Sequence, residues 1–265
     1  MRNLSRISII TGSMMLLAST LAFAQGRAGG RGGNAAEAAP SIPHDPRDLS
    51  GVWTKTSRVL AVSDTPPPFT PLGKQLFDAN KPSYGPRMVP PALGNDPTGT
   101  CDPLGLVRNV YLEVGIYPME IVQTSNRVFQ FFEWAHSYRT VWTDGHALPK
   151  DPDLTFNGTS IGRWDGNTFV VDSVGFDDRS WLDHFGMPHS TEMALQERYR
   201  RIDRDTLELT MTLTDPKIFT APWVSDRKLF RLAPRDREIA ELFCVPSQEM
   251  EFNRTVRDPA AGVKR

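Results

Sequence analysis

The sequence predicts a mainly β protein, an antiparallel meander that closes into a barrel, with a β-sandwich as the alternative. Three observations predict it. After Pro118, short apolar runs follow one another between tight-turn signals. The strongest signal is Asp165-Gly166, whose glycine supplies the positive φ that a two-residue hairpin needs. Leu207, Leu209, Met211 and Leu213 alternate with Glu208, Thr210 and Thr212, as in a strand with one buried and one wet face. No long amphipathic helix interrupts the series, and a meander of about eight strands removes its exposed edges by closing.

Taken in order, residues 1–24 read as a cleaved secretory signal. Arg2 and Arg6 precede the mostly apolar run Ile7 to Ala22, and Ala22-Phe23-Ala24 offers the small side chains that signal peptidase accepts. The run is shorter than the ~20 residues of a membrane span. A periplasmic or secreted protein without an integral membrane segment is therefore expected. Residues 25–40 are rich in Gly, Ala and Arg and bury too little to offset chain entropy, so they read as a flexible leader. Residues 41–117 form a Pro-rich wrapping segment. It opens with Asp48 to Trp53, a turn into a first short strand, and holds one short helix from Leu72 to Ala79. Thr70 caps that helix and Pro71 takes its first position, where a missing N–H costs nothing. Residues 118–265 supply the barrel core, with 41–265 as one domain. Strands are expected at 119–124, 127–142 (long or bent), 159–164, 168–174, 191–202, 206–214, 228–232 and 239–243.

Charge and cysteine content narrow the function. Thirty Lys and Arg against 31 Asp and Glu leave a formal charge of −1, which argues against a nucleic-acid partner. Two cysteines are too few for a four-thiolate zinc site. In an oxidising compartment Cys101 and Cys244 are a natural disulfide pair. No G-x-S-x-G, P-loop or G-x-G-x-x-G element is present, so no cofactor is predicted.

In a meander, successive connections alternate between two ends. The tight turns at 125–126, 165–167 and 203–205 are expected at one end, and the long loops 143–158, 175–190 and 215–227 at the other. The middle long loop carries the candidate chemistry. His189 or His184, oriented by Asp177 or Asp183, could serve as an acid–base pair. His184, His189 and Glu192 are weak candidates for metal ligands, but their spacing matches no established motif and no metal is predicted. The plainer reading is that these groups cap turns.

Strand parity places Met193, Leu195, Glu197, Tyr199 and Arg201 on one face. It places Phe129, Phe131, Glu133, Ala135, Ser137, Arg139 and Val141 on one face of the long strand, and Trp134, His136 and Tyr138 on the other. Glu197 and Glu133 are then interior carboxylates needing partners, with Arg139 and Arg201 to supply them. Trp181, Arg179, Glu197, Arg139, Trp134 and Tyr199 are the candidate ligand-binding residues.

Two stretches carry a resemblance. Asp48-Leu49-Ser50-Gly51-Val52-Trp53 and the segment from Ser160 to Asp183, SIGRWDGNTFVVDSVGFDDRSWLD, resemble a widespread group of secreted bacterial proteins of unknown function over most of the mature chain. The resemblance implies an exported protein that shares this loop and transfers no catalytic residue. The barrel resembles lipocalin-like proteins, with a pocket for a small apolar or aromatic molecule at the long-loop rim. A secreted hydrolase, lyase or isomerase using the His/Asp pair is the first alternative, and a cell-envelope protein-interaction module is the second. The sequence leaves the oligomeric state open.

Overall fold

The computed structural model describes residues 43–56, 60–112 and 117–263; the expected signal and the whole expected leader lie outside them. Ten strands are formed among the described residues. They are β1 (Gly51–Lys55), β2 (Met119–Gln123), β3 (Arg127–Phe132), β4 (Ser137–Trp142), β5 (Thr159–Asp165), β6 (Thr168–Val174), β7 (Ala194–Asp203), β8 (Thr206–Thr214), β9 (Trp223–Val224) and β10 (Lys228–Leu232). Among the described residues, β1 to β8 follow one another side by side. β10 then pairs with both β1 and β8, so nine strands close into a barrel, while β9 extends the β8 edge. Helix α1 (Pro71–Ala79) begins as expected, with Thr70 Oγ1 accepting from the Gly73 amide. Gly73 lets this helix lie against the loop after β8, because a Cβ there would meet the Ile218 carbonyl oxygen at 2.2 Å.

The meander is broken once. β4 and β5 run parallel, Val141 beside Ser160 and Trp142 beside Ile161, so the barrel is mixed. The loop 143–158 must therefore travel from one end to the other. It leaves beside the tight turn after β2, where the Thr143 amide donates to the Asn126 carbonyl, and arrives beside the loop after β6, where Thr155 donates to Gly175. The tight turns share one end as expected. At the other end lie 175–193, 215–222, the turn 133–136 and the described ends of the connection from β1 to β2, while 143–158 joins them only at its last residues.

The expected long strand 127–142 is a hairpin. Residues 133–136 reverse the chain, with Ala135 and His136 at φ 53° and 49°, and no glycine, proline or asparagine announces the turn. The reversal changes the parity. Val128, Gln130 and Phe132 face inward with Arg139 and Val141, whereas Phe129, Phe131 and Tyr138 lie on the outer face. Residues 239–243 form no strand. They belong to a C-terminal strap that leads into a short helix α2 (Pro246–Phe252). The strap is pinned by Glu133, whose carboxylate accepts from Arg237 and from the Ala240 amide. A disulfide between Cys101 and Cys244 also holds it, with the Cα atoms 5.5 Å apart.

Side chains fill the barrel interior. Trp53, Met119, Phe169, Val171, Leu195, Leu207, Leu209, Met211 and Phe230 are all buried, and Tyr111, from the helical turn Arg108–Leu112, packs edge-on against Phe230. Burial of this apolar surface at about 25 cal/mol per Å² is the main force closing the barrel. Among them, Arg139 and Glu197 form a two-pronged ion pair at 2.7 and 2.8 Å. The result is a lipocalin-like kind of barrel whose lumen is packed.

Intact mass measured without reductant is expected to be two hydrogens lighter than after reduction and unfolding, the difference confined to the peptides holding Cys101 and Cys244. Identical masses would refute the bond.

Candidate functional site

The loop after β6 is a plug. Most residues from Ser180 to Ser190 are buried, and short local bonds fix the fold. Leu182 donates to the Met187 carbonyl. The Asp183 Oδ1 accepts from the amides of Phe185 and Met187 at 2.8 and 3.2 Å. Gly186, at φ 85°, turns the chain back. The wrapping segment then closes over the plug. The His184 amide donates to Leu60, Asn80 donates to Gly186, and Arg87 donates to Phe185 at 3.0 Å and to Phe77 at 2.7 Å.

Between the plug and the wrapping segment lies a cavity of about 350 Å³. Phe69, Phe77, Phe185, Met187 and three prolines give it apolar walls, and Ser63, Asp64, Tyr84, Arg87 and Asp183 supply the polar groups. Asp183 is fully buried; its Oδ1 takes the Phe185 and Met187 amides, while its Oδ2 has no well-formed hydrogen bond, with only the Val62 amide near the carboxyl. Burial pushes the carboxyl up to about 6, against the amides of Met187, Phe185 and Val62 and the Arg108 guanidinium, which favour its charge. A small apolar cleft with a perturbed, incompletely satisfied carboxyl has the attributes of a ligand site.

The other candidate residues sit elsewhere. His184 lies behind Asp183, with its Nδ1 3.0 Å from Arg108 Nη2 and its ring against the edge of Tyr84. Because a guanidinium can only donate, that Nδ1 is an acceptor. His189 faces another way. Its Nε2 is 3.1 Å from Ser180 Oγ, and its Nδ1 is 3.2 Å from the Ser190 carbonyl. Since that carbonyl can only accept, Nδ1 carries the proton and Nε2 accepts from the Ser180 hydroxyl. Burial holds the imidazole below its usual range. Ser190 in turn binds Asp215 through its amide and hydroxyl. This Ser–His arrangement is buried throughout and absent from the cavity wall.

Asp177 pairs with Arg179 at the surface, and that bond holds its carboxyl below the ordinary range. Neither imidazole is hydrogen-bonded to Asp177 or Asp183. Glu192 pairs with Lys217, and among the described residues no three His, Cys, Asp or Glu side chains form a metal-holding group. Trp181 is buried in the plug, and Trp134 packs against Tyr117 on the turn between β3 and β4. Arg139, Glu197 and Tyr199 bind one another and Gln130. Of the candidates, the cavity gathers Asp183 alone. The residues missed are Ser63, Asp64, Phe69, Phe77, Tyr84 and Arg87, all in the Pro-rich segment. Their one signal was the run of aromatic side chains from Phe69 to Tyr84 in a segment otherwise read as wrapping. No helix among the described residues is long and apolar enough to cross a membrane. Compared with protein-family models, curated proteins and solved structures, the chain matches none of them.

Proposed function

We propose that this is an exported binding protein that takes a small apolar or aromatic molecule in the cavity between the 182–187 plug and the wrapping segment. The observation that carries the reading is the buried Asp183 carboxyl beside apolar walls, with one oxygen that has no well-formed hydrogen bond. A folded chain tolerates such a group at a cost, and a ligand that bonds it removes the cost. The volume suits roughly a dozen non-hydrogen atoms at about 30 Å³ each. Export is supported by the Cys101–Cys244 disulfide, since such bonds persist in oxidising compartments, and by the motif resemblance at 48–53 and 160–183.

Isothermal titration with indole and 2-naphthol tests the reading. Saturable one-site binding is expected, weakened about tenfold or more in Phe77→Ala, which removes a wall of the cavity. Circular dichroism confirms that the variant keeps its strands. Absence of binding by either compound, or binding indifferent to Phe77, would refute the site.

A further inference from the structure

The polar groups of the cavity differ in what they have left to offer a ligand. Arg87, the cation in the wall, is committed. Its Nη1 and Nη2 donate to the carbonyls of Phe77 and Phe185, and its guanidinium lies 3.5 Å over the Phe77 ring. Ser63 spends its proton on Asp226 at 3.0 Å and accepts from the Thr65 amide. Asp183 Oδ2 has no well-formed hydrogen bond, and Asp64 lies exposed in the lining. The charged groups in the lining not committed to a partner are therefore both carboxylates, and Phe69, Phe77, Tyr84 and Phe185 line the same cavity.

Resting on the reading of this cavity as a ligand site, we propose that its ligand is a small amine, a protonated ammonium on an apolar or aromatic body. Asp183 and Asp64 answer the charge, and the rings hold the body. Ammonium groups are attracted to aromatic faces as well as to carboxylates, and a charge-assisted bond to Asp183 would satisfy the oxygen that the fold leaves open. The cations that face Asp183 do not take this role. Arg87 approaches from the wrapping segment, Arg108 from the helical turn and Lys228 from β10, and none forms a salt bridge with it among the described residues. Arg108 is held by Asp96 at 3.0 Å and by His184, and Lys228 donates to the Ala61 carbonyl and lies over Tyr111.

Calorimetric titration of the full chain at pH 8 with 2-phenylethylamine, its isostere 2-phenylethanol and the acid 3-phenylpropionate tests the proposal. The amine is expected to bind about tenfold tighter than the alcohol or better, and the acid weakest. Asp183→Asn keeps the Oδ1 acceptor and is expected to erase most of that preference while leaving the alcohol's affinity nearly unchanged. In the wild type the preference is expected to shrink as the pH falls below about 6, where Asp183 is protonated. An alcohol that binds as tightly as the amine would overturn the amine assignment and leave the cavity reading standing. A preference that survives Asp183→Asn would overturn the role of Asp183. Failure of all three compounds to bind would remove the cavity reading and the amine with it.

Discussion

Glu197→Ala is expected to destabilise the barrel by about 3–5 kcal/mol, among the largest effects of any single substitution in this chain. Glu197 lies on β7 with its carboxylate in the packed lumen, accepting from both terminal nitrogens of Arg139 and from the Tyr199 hydroxyl at 2.7 Å. Gln130 completes the network by accepting from Arg139 Nε at 2.6 Å. Both partners are almost wholly removed from water. Each ion lost several kcal/mol of hydration on burial, and the other, helped by Tyr199 and Gln130, recovers it. Alanine would leave the Arg139 guanidinium charged and unmatched, because arginine does not shed its proton in a protein. The same network holds Tyr199 in its neutral form, its ionisation pushed well up by burial and by the nearby Glu197 charge. Urea denaturation followed by fluorescence measures the loss. The double variant Arg139→Met with Glu197→Leu removes both charges and keeps the volume. It is expected within about 2 kcal/mol of the wild type or above it, as apolar replacements of buried pairs often are. A single variant within about 1 kcal/mol of the wild type would show that water reaches the lumen.

The elements whose causes are local were legible. Asp165-Gly166 places a hairpin because Gly166 sits at φ 59°, and Thr70-Pro71 starts α1 because the cap and the proline act within one turn. The alternation from Leu207 to Leu213 gave the inner face of β8, and the parity of β7 put Glu197 inside, where Arg139 meets it. What failed depends on contacts distant in sequence. The turn at 133–136 is imposed by pairing of Arg127–Phe132 with Ser137–Trp142, and residues without turn chemistry accept it, so Phe129 and Phe131 moved to the outer face. The parallel pairing of β4 with β5 rests on two residue pairs, and the long loop that permits it has no helical crossover to announce it. The site was half legible. The loop 175–190 stood out by composition, yet its histidines are sealed, and the cavity forms where it meets a Pro-rich segment whose fold has no period to read.

Asp183→Asn is expected to stabilise the protein by about 3 kcal/mol at pH 8 and to change it little at pH 4. The sign follows from the direction of the shift. Unfolded, this carboxyl titrates at 3.8, and burial raises it to about 6 in the folded chain. Below the lower value both states carry the proton, and the fold bears no penalty. Between the two the unfolded chain ionises first and gains hydration that the folded chain lacks, so stability falls as the pH rises. Above about 6 the penalty is complete, and the gap corresponds to about 3 kcal/mol at 1.36 kcal/mol per pH unit. Asparagine resembles the protonated acid, keeping the Oδ1 that receives the Phe185 and Met187 amides while carrying no charge. The two proteins should therefore match in acid and diverge through the window from about pH 4 to 6, as thermal denaturation at several pH values would record. A constant difference across that range would place its cause in packing, and no difference at pH 8 would mean that the carboxylate is hydrated. Loss of a stabilising option at neutral pH has a chemical meaning here. Asp183 lines a cavity rather than the packed lumen, where Glu197 shows that this chain matches its buried charges. A carboxylate held against the preference of the fold, at an apolar cleft beside the plug, is the kind of group whose cost a bound partner offsets.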